Sequence, residues 1–111
     1  MSFPRDGQSV LSDMGAGDYE TVAASATDQM LGPTGAKGDY LAGVLLIPAS
    51  VSPGAVSIED GDVNIPIFAG GANSLTELRP IWVQLGIRSQ TGGWEITTGA
   101  NIAVLAVGHF T

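Results

Sequence analysis

The feature that most limits the fold of this chain is a regular alternation of short β-forming runs with glycine-containing breaks. The breaks include Asp60-Gly61, Gly70-Gly71 and Gly92-Gly93, and glycine reaches the backbone conformations of tight turns without a Cβ clash. From residue 20 onward, seven runs rich in β-branched and aliphatic residues lie between such breaks, and we expect each to form a strand. They are residues 20–29, 40–48, 54–59, 63–69, 80–88, 94–98 and 101–110.

Helices have little room in this pattern. Ser74–Glu77 fits a capping box, but Pro80 follows three residues later, so at most one helical turn fits. Parallel strands need crossover connections, usually helices. The sequence therefore predicts an all-β protein. We expect an antiparallel β-sandwich, of which a jelly roll is one version, the alternative being a small barrel.

The first 19 residues differ from the rest, because they combine several glycines and acids with few large apolar side chains. We expect an extended N-terminal arm over residues 1–19 and a β-sandwich domain over residues 20–111. The arm is either a flexible tail or a segment that docks on a neighbouring subunit or partner. Its candidate partner contacts are Phe3, Val10, Leu11 and Met14.

Two predicted strands are apolar on both faces, because residues 44–47 and 102–107 contain no polar alternation. An antiparallel sheet usually exposes one face to solvent, and the residues on that face are polar. A sandwich of about 90 residues has little chain left to cover its outer faces. We expect that cover to come from the N-terminal arm, from another chain, or from both.

The run Ile81–Arg88 alternates more regularly. Side chains of a strand point to opposite faces in turn, so Ile81, Val83, Leu85 and Ile87 are expected in the core. Trp82 then falls on the outer face. It either lies flat on its own sheet or anchors a subunit or partner contact, where tryptophan is enriched.

Charged residues are scarce and unbalanced. Asp, Glu, Lys and Arg make up 14% of the chain, against about 25% in typical domains, and 11 acids face 4 bases. A monomer with so few charges would expose large apolar patches, which soluble monomers seldom do. We therefore expect a homo-oligomer.

The same charges argue against several classes of partner. Nucleic-acid backbones and anionic membrane surfaces attract clustered Lys and Arg, whereas Arg5, Lys37, Arg79 and Arg88 are scattered. The chain has no cysteine for a disulfide or thiolate metal site. Its longest apolar run has ten residues, short of a transmembrane helix, and its N-terminus has no apolar signal-peptide core.

Candidate catalytic groups are few. His109 is the one histidine and has no acid within three positions, so a structural role is expected. Residues 59–64 imitate the start of a calcium loop, but Ile65 and Gly71 stand where the loop needs Gly and Glu. We expect a hairpin turn with solvated carboxylates there, the alternative being a weak cation site. We expect no enzyme activity and no cofactor.

Several turn and strand segments resemble small bacteriophage virion structural proteins, of the head decoration (cement) or fibre type. They are Leu31–Leu41, Ser52–Ile58, Phe68–Gly71, Thr97–Asn101 and Ala106–Thr111. The resemblance implies a β-sandwich that assembles as a trimer on the outer surface of a capsid, bound to the major capsid protein. It places the protein in the virion, after synthesis in the host cytoplasm.

Two alternatives remain open at this point. One is a head or tail fibre domain that binds a host receptor. The other is a carbohydrate-binding β-sandwich module outside any virion. Fold alone does not separate these functions.

Overall fold

A computed structural model describes residues 18–111, which form eight β-strands. The strands are β1 (Asp18–Val22), β2 (Gln29–Met30), β3 (Tyr40–Pro48), β4 (Val56–Asp60), β5 (Val63–Phe68), β6 (Ile81–Arg88), β7 (Trp94–Thr98) and β8 (Ile102–His109). Residues 18–111 contain no helix, and the capping-box segment Ser74–Glu77 forms no helical turn. The first strand begins at Asp18, so Asp18 and Tyr19 belong to the sandwich and not to the arm.

The strands form two antiparallel sheets that pack face to face. Sheet I has the order β1-β8-β3-β6, and sheet II has the order β2-β7-β4-β5. Every connection crosses from one sheet to the other except the β4–β5 hairpin. This eight-stranded arrangement is a jelly roll. The prediction of an antiparallel β-sandwich is confirmed.

The predicted single strand over residues 20–29 is wrong, because the chain turns there and enters the other sheet. Ser25 adopts a φ of 60°, which breaks an extended run. The side chain of Thr98 holds the turn: its hydroxyl donates to the Ala23 carbonyl at 2.6 Å and accepts from the Ala26 amide at 2.9 Å. A β-favouring composition did not reveal this tertiary anchor.

The core lies between the two sheets and is built from their inward side chains. On β4, β7 and β8 every second residue is buried, as strand geometry requires. Burying one large aliphatic side chain contributes roughly 1.5–3 kcal/mol. The largest fully buried side chains are Trp94, Leu31, Leu41, Leu46, Ile58, Ile96 and Ile102.

Asp39 closes one end of the sandwich by joining three separate segments. Its carboxylate accepts hydrogen bonds from the amides of Thr111 and Ala36, each at 3.1 Å, and from the Thr111 hydroxyl at 3.0 Å. Its backbone carbonyl accepts from the Trp94 indole N–H at 2.9 Å and from the Ser89 amide at 2.9 Å. A buried carboxylate therefore fixes the end of the chain against the core tryptophan.

Candidate functional site

The outer face of sheet I carries two rows of uncharged side chains across all four strands. Strand pairing places the residues of each row side by side. One row is Thr21, Leu105, Leu45 and Trp82, and the next is Tyr19, Val107, Gly43 and Gln84. Ala103 lies opposite Ile47 beyond the first row. We call these ten residues the apolar face.

The apolar face remains in contact with solvent. Ile47 is 42% exposed and Trp82 is 47% exposed, while Leu45 and Leu105 are half-buried among their neighbours. The inward residues of β3 and β8, such as Val44 and Val104, are fully buried. The prediction that these strands are apolar on both faces is confirmed.

Trp82 lies on the outer side of β6, as the alternation predicts, and its ring rests against Gly43 of β3. It therefore lies on its own sheet and is half exposed at the same time. Its role as a partner contact stays a prediction. The expected burial of Ile87 is wrong, because this residue is 41% exposed near the end of an edge strand.

Charged and titratable groups lie at one end of the apolar face. Arg88 sits over the ring of Tyr40, 5.9 Å from its centroid. The fold also brings Asp18 to 3.9 Å from His109 Nδ1, although no acid is near His109 in the sequence. Both side chains are exposed, and Asp18 also accepts from the Phe110 amide at 3.1 Å. Asp18 and His109 therefore form part of a polar rim at the end of the apolar face, and not an enclosed catalytic site.

The outer face of sheet II has the opposite character. Glu59 of β4 lies directly opposite Glu95 of β7, and Asp28 approaches so that one carboxylate oxygen from each lies within 4.8 Å of the others. The Thr97 hydroxyl lies 3.1 Å from Asp28 Oδ1 and 3.4 Å from Glu59 Oε1. Burial raises the pKa of Glu59, and the charges of Asp28 and Glu95 add to this, against a hydrogen bond from Ser57.

These three carboxylates form an acidic cluster that the sequence did not identify, since Asp28 is distant along the chain. The available sequence signal was that Glu59 and Glu95 occupy outward positions in strands whose side chains alternate between core and surface. Carboxylate oxygens are ligands for hard cations such as Ca²⁺. Exposed acidic groups are also common without an ion, so the cluster by itself assigns no metal.

The expected solvated turn at residues 59–64 is partly wrong. The β4–β5 hairpin is present, but Asp60 is buried and its carboxylate accepts from the amides of Gln90, Thr91 and Gly92. The Thr91 hydroxyl donates to the Asp60 carbonyl. Burial works to raise the pKa of Asp60, but these hydrogen bonds outweigh it and lower the pKa. The Asp60 carboxylate thus anchors the loop of residues 90–92.

The candidate contacts Phe3, Val10, Leu11 and Met14 lie outside the described residues. The chain enters sheet I at Asp18, beside a shallow pocket formed with Glu20, Gly32 and Phe110. The Glu20 carboxylate is already bonded there, since it accepts from the Gly32 amide at 2.8 Å and from the Gln29 side chain at 3.0 Å.

No family model, curated protein or solved structure matches this chain. Residues 18–111 contain no helix that is long and apolar enough to cross a membrane.

Proposed function

We propose that this chain is a phage head decoration protein, which binds the outer surface of the head as an oligomer and stabilises the shell without catalysis. One observation carries the proposal: the sandwich has two unlike outer faces. The apolar face of sheet I presents no Asp, Glu, Lys or Arg in its rows, whereas sheet II presents Glu59, Glu95 and Asp28.

This division suits a protein held between a shell and water. Uncharged side chains at the centre of a contact lose little on desolvation, and apolar area removed from water stabilises the contact by about 25 cal/mol per Å². Acids on the opposite face keep the exposed side soluble and repel further layers. The segments that resemble head decoration or fibre proteins support the same assignment.

The proposed mechanism is added contact area across joints between subunits of the major capsid protein. A contact of standard size buries roughly 1,600 Å² in total. When one oligomer touches the shell at several points, later contacts form at high effective concentration. Many modest contacts then oppose the internal pressure of packaged DNA.

The experiment is co-sedimentation of the purified chain with expanded heads that lack it. We expect saturation at a fixed ratio to the major capsid protein. Leu105→Glu places a charge at the centre of the apolar face and should abolish binding, while Met30→Glu on the exposed part of β2 is the matched control and should bind normally. Circular dichroism confirms that both variants are folded.

Failure of the wild-type chain to bind heads overturns the proposal. Adsorption to host cells without heads would point to a receptor-binding fibre domain, and saturable sugar binding would point to a carbohydrate-binding module. Binding unchanged by Leu105→Glu would show that the apolar face does not contact the shell.

A further inference from the structure

Among the four edge strands of residues 18–111, β6 offers the longest stretch without a feature that blocks pairing with another chain, because its bulge lies beyond Gln84 and its one charge is Arg88. Exposed edges carry free N–H and C=O groups, and soluble proteins protect them with charges, proline, bulges or short length. β1 carries Asp18 and Glu20, β2 has two residues, and β5 contains Pro66. β6 has eight residues, and its first seven include no charge and no proline.

The free edge of β6 is regular over half its length. Ile81–Gln84 pair with β3 in continuous register, and the irregularity lies beyond them, where Gly86 has a φ of 68°. Within residues 18–111, β6 pairs with β3 alone. A straight row of backbone donors and acceptors therefore faces outward along Ile81–Gln84.

Both sides of β6 are uncharged up to Ile87 and incompletely covered. Ile81, Val83 and Leu85 pack on the core but are only half-buried. On β8, which lies inside the same sheet, the inward residues Val104 and Ala106 are fully buried. β6 therefore presents apolar side chains that contact solvent on both sides of the sheet. They are Ile81, Val83 and Leu85 on the inner side and Trp82 on the outer side.

We propose that the free side of β6 is the surface through which this chain binds further copies of itself. The charge of the chain selects this occupant. Each copy carries a net charge of −7, so two copies repel wherever acids face each other. Between Ile81 and Ile87 no charged residue occurs, and identical copies meet there without that repulsion.

The same absence of charge disfavours a partner recognised electrostatically. An acidic or basic protein would find no opposite charge on β6, whereas sheet II offers three carboxylates to a basic one. A second copy also presents an uncharged β6 strip, so contact between the two strips buries both of them away from water. The inference rests on the proposed function for the expectation of an oligomer and adds the surface that forms it.

The test uses the purified full chain without heads, studied by sedimentation velocity and light scattering at micromolar concentration. We expect an oligomer rather than a single chain of 11.3 kDa. Two β6 edges that pair with each other form a twofold dimer, whereas β6 strips that pack around one common axis form a trimer. Trp82→Lys should weaken the oligomer at least tenfold. Tyr19→Lys is the matched control, because Tyr19 is also an exposed aromatic residue on an edge strand of sheet I, and it should leave the mass unchanged.

Ile87→Lys provides a second variant in case Trp82→Lys does not fold, since Ile87 is 41% exposed on the same strand. A monomeric wild-type chain overturns the inference, and so does an oligomer that resists the lysine on β6 or dissociates equally with Tyr19→Lys. Head binding is measured separately. An oligomer that depends on β6 but binds no heads would support this inference and overturn the proposed function.

Discussion

The ring of Trp82 lies against the Cα of Gly43, so that a Cβ at Gly43 would stand 2.5 Å from Trp82 Cζ2 and 2.6 Å from Cη2. Real Cβ atoms essentially never come that close to a neighbour. The glycine thus leaves the space in which an exposed tryptophan lies flat across β3. This contact joins the centre of the apolar face to the free edge of sheet I.

Gly43→Ala should therefore displace Trp82 and destabilise the fold. Overpacking of a well-packed site costs typically about 1–3 kcal/mol, and the Val83 carbonyl, 2.6 Å from the same Cβ position, prevents a simple shift of the backbone. We expect a loss of this size in the free energy of unfolding, measured by urea titration.

A double-mutant cycle with Trp82→Ala checks the cause of that loss. Removing the ring relieves one of the two clashes, so the double variant should be less destabilised than the sum of the single variants. Strict additivity would contradict a steric contact between Gly43 and Trp82.

Asp60→Asn should destabilise the protein at neutral pH and reduce its sensitivity to acid. The carboxylate accepts amide hydrogen bonds from Gln90, Thr91 and Gly92, and hydrogen bonds to a charged group contribute roughly 1.5–3 kcal/mol each. Because the pKa of Asp60 is lowered below its ordinary value of 3.8, its contribution is complete above pH 3.8 and is lost as the pH falls through the lower folded value.

Urea unfolding of both proteins at neutral and acidic pH measures this effect. Asp62→Asn is the matched control, since Asp62 lies in the same hairpin turn but is exposed. An equal loss of stability in the two variants would show that the hydrogen bonds of Asp60 do not matter.

The sequence predicted much of the fold but little of the site, for a physical reason. Local β pattern and glycine breaks determine strands such as Tyr40–Pro48 almost to the residue. Partner strands are set by tertiary packing, so the row Leu105–Leu45–Trp82 and the approach of Asp28 to Glu59 were not visible. The Thr98 hydrogen bonds that divide residues 20–29 likewise join positions more than 70 residues apart.

Glu59→Gln should stabilise the protein at neutral pH. Burial raises the pKa of Glu59 above its ordinary value of 4.5, and Asp28 and Glu95 add repulsion. A raised pKa means that ionisation opposes folding, so wild-type stability should increase as the pH falls from 7 through the raised value towards 4.5. We expect a gain below about 1 kcal/mol in the variant, as for other solvent-screened charges.

The measurement is thermal or urea unfolding of both proteins at pH 7 and pH 5. The advantage of Glu59→Gln should be present at pH 7 and smaller at pH 5. Glu95→Gln, which removes one repelling neighbour, should give part of the same gain. Lower stability of Glu59→Gln at pH 7 would mean that the hydrogen bonds of Glu59 with Ser57 and Thr97 outweigh the repulsion.

Asp39→Ala should be the most destabilising of these changes, because it removes a buried carboxylate and leaves several part-buried donors without an acceptor. The amides of Ala36 and Thr111 and the Thr111 hydroxyl all donate to this carboxylate. An unsatisfied buried polar group costs roughly 1–3 kcal/mol.

Thr111→Val removes only the hydroxyl donor and should cost less. In a double-mutant cycle measured by urea unfolding, the two variants should couple, since the hydroxyl bond is lost only once. Independent, additive effects would show that Asp39 does not hold the last residue through its side chain.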